Sequence, residues 1–91
     1  MSTNNSESSQ PRHTLSENLP GGGQLQCAVW QNDASKDGES FTSYGVTIKR
    51  FYFDDSDKKW KPAKSFRSND LLHVAFAAQE LYRKVEELKH Q

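Results

Sequence analysis

The sequence predicts an α+β fold: a curved antiparallel sheet of three to four strands followed by one long C-terminal helix packed on the sheet. Two observations predict it. Between Leu25 and Phe66, apolar residues recur at alternate positions in several short stretches, the period of strands with one buried face. After Ser68 they recur at steps of three and four, the period of an amphipathic helix. Clusters of Asn, Asp, Ser and Gly separate the period-two stretches, and strands followed by a helix give an α+β arrangement.

The first 23 residues, MSTNNSESSQPRHTLSENLPGGG, contain two leucines and no aromatic residue. So little apolar area does not offset the entropy of ordering, and residues 1–23 are expected to be a disordered tail ahead of one small domain at 24–91. The tail lacks the basic start and apolar core of a secretory signal, and no later run reaches the length of a membrane span, so a cytoplasmic protein is expected.

In LQCAVWQN, residues 25–32, Leu25, Cys27 and Val29 share one face and Gln26, Ala28 and Trp30 the other. Cys27, the only cysteine, has no intramolecular disulfide partner and reads as a small buried hydrophobe. NDASKDGES, residues 32–40, reads as a loop longer than a tight hairpin needs. A strand over Phe41–Phe53 follows, with Tyr44, Val46, Ile48 and Tyr52 inward and Thr47, Lys49, Phe51 and Phe53 outward. Arg50 has the inward parity, which places it near a sheet edge or in a pair. DDSDK turns the chain, and KKWKPAKSFR resumes as a strand that Pro62, with no N–H to donate, is expected to break in two.

The helix is predicted from Ser68 or Asn69 as cap, with Asp70 at the positive end of the dipole and Lys84 and Lys89 toward the other end. Its stripe is Leu71, Val74, Ala75, Ala78, Leu81, Tyr82, Val85 and Leu88. Leu72 and Phe76 lie to one side, as a helix facing a second subunit would require. A domain this small has a poor surface-to-volume ratio, which also favours a homodimer.

No catalytic or metal constellation can be assembled. His13, His73 and His90 lack the spacing that puts two imidazoles on one metal, and Asp54, Asp55 and Asp57 lack the glycine and closing glutamate of a calcium loop. No serine sits in a nucleophile elbow, and the glycines at 21–23 precede a strand rather than a helix. The expectation is a protein that is not an enzyme and takes no cofactor or small-molecule substrate.

Lys plus Arg and Asp plus Glu number 12 each, so only the distribution of charge can point to nucleic acid. Lys49, Lys58, Lys59, Lys61, Lys64 and Arg67 lie in the last strands and their connection, interleaved with Trp30, Phe51, Phe53 and Trp60. Cations that follow phosphates and exposed rings on which bases stack are what a single strand of DNA or RNA requires. The same aromatics could instead be buried against another subunit, a protein partner or the tail, with the lysines as ordinary solvated positions.

The order of strands and helix, the pattern Val46-x-Ile48-x-Arg50-x-Tyr52, the acidic turn leading to Trp60-Lys61-Pro62, and Ser65-Phe66 before the helix resemble the single-stranded-DNA-binding domain of the coactivator positive cofactor four and its small bacterial relatives. The resemblance covers about residues 25 to 88. The chain looks still more like a set of short uncharacterised bacterial proteins with motifs matching Val29-Trp30-Gln31-Asn32, Val46 to Tyr52, Trp60 to Phe66 and Asp70-Leu71-Leu72. That likeness implies no activity. The coactivator resemblance implies a homodimer built on the C-terminal helices, with curved sheets forming channels for single strands, in transcription or DNA maintenance. Arg50 and Lys49 would then contact phosphates and the outward aromatics would stack bases.

Overall fold

The computed structural model describes residues 10–91, so residues 1–9 of the expected tail lie outside it. Four antiparallel strands, β1 (His13–Leu19), β2 (Gly23–Lys36), β3 (Glu39–Asp54) and β4 (Lys59–Pro62), form a sheet in the order β1-β2-β3-β4. A 3-10 turn at Ser68–Asp70 leads into helix α1 (Leu71–Lys89). The fold class is the expected one.

Residues 13–19, expected as disordered, form β1. The segment is weak alone, but the edge of β2 supplies a complete ladder from His13 opposite Val29 to Leu19 opposite Gly23. Its alternation turns Leu15 and Leu19 toward the helix. Glu17 Oε2 lies 2.7 Å from His73 Nδ1, joining β1 to α1. Gly21 and Gly22 turn the chain at φ 82° and 96°, values that other residues adopt only with strain.

The expected loop at residues 32–40 is also strand. β2 and β3 stay paired out to Lys36 opposite Glu39 around a two-residue turn, Asp37-Gly38, with φ 55° and 82°. Positive φ at both central positions gives a backbone twist that matches the strands, and Asp-Gly is the sequence that accepts it. Pro62 ends β4; only one further bond, Ala63 N to Arg50 O at 2.8 Å, continues the ladder. The second short strand expected after Pro62 does not form.

Leu19, Leu25, Cys27 and Val29 from β1 and β2 pack against Ala77, Leu81 and Leu88 of α1, with Leu15, Tyr44, Ile48, Val74 and Val85 partly buried around them. Burial raises the pKa of Cys27, which suits a packing role. The fully buried sheet residues come from β1 and β2 alone, so α1 lies over those strands and leaves β3 half covered. Val46 therefore shares the helix-side face yet is 44% exposed, and Tyr52 is exposed as well.

The helix stripe is turned from its expected position. Ala77 is buried, whereas Leu71, Ala75, Ala78 and Tyr82 are exposed. The start differs too: instead of a Ser68 or Asn69 cap, the Asp70 carboxylate accepts the Arg67 backbone N–H at 2.9 Å, while Asp70 N donates to Arg67 O at 2.9 Å. This reciprocal pair satisfies two of the amides that a helix start leaves without partners.

Candidate nucleic-acid interface

Directly opposed residues in an antiparallel ladder share a face, so the registers define the side of the sheet turned away from α1. Across β1, β2 and β3 its rows are Asn18, Gln24 and Phe51; Ser16, Gln26 and Lys49; and Thr14, Ala28 and Thr47. Trp30 stands opposite Gly45, Phe51 opposite Pro62, and Phe53 opposite Trp60. Of the residues expected to bind nucleic acid, Trp30, Lys49, Phe51 and Phe53 thus come together on one face.

The rings there are held in place but accessible. Trp30 Nε1 donates to Thr47 Oγ1 at 3.3 Å, which orients the indole. Phe53 and Trp60 make an edge-to-face pair with centroids 5.6 Å apart and planes at 71°, and both remain exposed. A shallow groove of about 490 Å³ runs over the face between Trp30 and Phe51, lined also by Thr14, Ser16, Gln26 and Lys49. Gly45 and Phe51 are six residues apart on β3, so Trp30 and Phe51 sit roughly 20 Å apart along the strand direction, with Lys49 between them.

Carboxylates are segregated from this face. Glu17, Asp33 and Asp54 have the helix-side parity, and Glu39 at the hairpin tip, opposite Lys36, is the one strand carboxylate with the open-face parity among the described residues. Lys49 makes no ion pair among the described residues, so its charge is not cancelled.

The remaining expected cations are elsewhere. Lys59 and Lys61, opposite Asp54 and Tyr52, have the helix-side parity, because the four-residue turn between β3 and β4 sets a register that composition does not reveal. Lys61 Nζ binds Asp57 Oδ2 at 2.5 Å and Asp54 Oδ2 at 2.9 Å, and these bonds raise its pKa. Asp54 is held below the ordinary carboxylate range by Lys61 and by the backbone N–H groups of Asp57 and Ser56. Lys64 lies in the exposed segment after β4.

Arg50 and Arg67 are structural anchors rather than open-face contacts. Arg50 is 13% exposed; its Nε donates to Ser65 O at 2.9 Å and lies 3.4 Å from Asp70 Oδ2. Arg67 grips Asp70 through Nε and Nη2, both at 3.3 Å, and donates from Nη2 to Pro20 O at 3.1 Å. Asp70 is buried, and the Arg67 bonds hold its pKa below the ordinary carboxylate value despite the opposing effect of burial.

Thr14, Ser16, Asn18, Gln24 and Gln26 complete the open face and were not among the expected site residues. The alternation in HTLSENL ahead of a Pro-Gly turn was the available signal for the first three. No protein-family model, curated protein or solved structure matches the chain. No helix among the described residues is long and apolar enough to cross a membrane.

Proposed function

We propose that this chain is a non-enzymatic protein that binds single-stranded DNA or RNA across the open face of its sheet and acts as a homodimer. One observation carries the reading: Trp30, Lys49 and Phe51 share a shallow groove whose lining among the described residues includes no carboxylate. Exposed rings stack bases of any sequence, and an unpaired cation between them attracts the backbone. The neighbouring Gln, Ser, Thr and Asn side chains offer donors and acceptors without like-charge repulsion of phosphate.

The second copy is the occupant we assign to the other side of the domain. There Tyr44, Val46, Ile48, Ala78, Tyr82 and Val85 line an apolar groove of about 320 Å³ between β3 and α1. Leu72, 83% exposed, and Phe76, 54% exposed, extend the apolar surface around the helix. A helix apolar on its outer side as well as its inner side needs cover, and beyond β4 the edge of β3 has no partner strand among the described residues, so it can meet the same edge of a copy about a two-fold axis.

A fluorescence-anisotropy titration tests the reading, using a labelled mixed-sequence single strand of about 20 nucleotides with duplex of the same sequence as control. Micromolar or tighter binding to the single strand, weakening with salt, is expected. No binding at low salt would transfer the open-face aromatics to a protein partner instead.

A further inference from the structure

We infer that a second site, off the open face, takes a phosphate group: the pocket where β4 ends and the chain crosses the edge of β3. The cavity measures about 280 Å³ and lies between residues 48–50 of β3 and residues 62–66. Lys49, Arg50 and Lys64 contribute three cations to its lining and Ser65 a hydroxyl, with no carboxylate among the described residues that line it. Ile48, Pro62 and Phe66 form its apolar part, which strengthens electrostatic contacts by limiting water.

Arg50 supplies the decisive detail. Among the described residues its protein hydrogen bond leaves from Nε alone, and Asp70 approaches that same nitrogen. Both Nη groups therefore carry N–H donors with no acceptor among the described residues, on a side chain that is only 13% exposed. These donors are left for a ligand or solvent, and a planar guanidinium fork matches the oxygens of a phosphate. Charge points the same way. Asp70 is shared between Arg50 and Arg67, so two guanidinium charges face one carboxylate. Lys49 and Lys64 make no ion pair among the described residues and add to the surplus.

Lys49 belongs both to this pocket and to the open-face groove, so a strand crossing the sheet toward the β3 edge would bring a phosphate to it. Only this source of the phosphate rests on the proposed function; the pocket itself does not.

The test is a ¹⁵N correlation spectrum of the full chain titrated with inorganic phosphate against chloride at constant ionic strength. Saturable shifts of Arg50 Nε–H and the amides of residues 63–66 are expected. Lys64→Glu, in an exposed segment, and Arg50→Lys, which keeps a cation beside Asp70 but loses the fork, should each weaken the response several-fold while melting confirms the fold. Trp30→Ala should leave it intact. Absence of a saturable response, or full retention of it in both folded pocket variants, overturns the site whether or not oligonucleotides bind. Oligonucleotides with a 5′-phosphate or a 5′-hydroxyl separate the sources. A larger pocket shift with the phosphate supports a terminal monoester, and equal shifts support an internal diester.

Discussion

Replacing Trp30 and Phe51 together by alanine removes the two rings that bound the open-face groove and leaves Lys49 between them. Stacking on an aromatic side chain contributes about 1–3 kcal/mol per base. Both rings are half-buried, so the lower half of that range applies to each and the pair should lose about 2–4 kcal/mol. At 1.4 kcal/mol per factor of ten, this weakens binding roughly 30- to 700-fold. The fold should survive, because neither ring belongs to the core under α1. The assay is anisotropy with the same oligonucleotide at two salt concentrations, alongside a melting curve. Since Lys49 is untouched, the salt dependence should hardly change while the affinity falls. A folded double variant that binds as tightly as the natural chain would refute stacking as the mechanism.

Other consequences can be checked as directly. Val46→Glu with Tyr82→Glu puts charge into the groove between β3 and α1, and sedimentation should show twice the 10.4 kDa chain mass falling to one. Leu81→Ala, at a fully buried position, should cost about 2–5 kcal/mol in urea unfolding, and a much smaller cost would mean that α1 is not docked as described. The carboxyl of Asp70 has a depressed pKa in the folded state. Its contribution to stability is therefore complete above the unfolded pKa and is lost as pH falls through the folded one. Asp70→Asn should accordingly melt lower than the natural chain at neutral pH, with the gap closing in acid; a gap independent of pH would sink the argument.

The parts of this molecule that were readable in its sequence are those governed by local period. Alternation put Trp30, Lys49, Phe51 and Phe53 outward on their strands, and the ladders of β3 with β2 and β4 hold them on one face. It also gave Arg50 the opposite parity, but nothing near Arg50 marks Asp70, twenty residues on, as its partner. β1 was missed because Thr14, Ser16 and Asn18 resemble tail residues until the edge of β2 provides their backbone partners. The hairpin end was missed because Asp37-Gly38 is flanked by polar residues whose alternation carries no apolar signal. The helix was evident, yet its apolar residues extend around more than one face, and only docking chose Ala77 over Ala78 for the core. Lys59 and Lys61 followed a register fixed by turn geometry rather than by composition.

The order β1-β2-β3-β4 means that each strand pairs with the one next to it in the chain. Every pairing therefore closes a short loop, and the entropy of closure stays small at each step. The Asp37-Gly38 turn, already matched to the twist of its strands, is a natural place for the ladder to begin and zip outward. Hairpins form in roughly 1–10 μs, and low contact order favours fast folding overall. The sheet can thus assemble as its strands emerge during synthesis, while α1, which follows them in sequence, closes the core after they have paired.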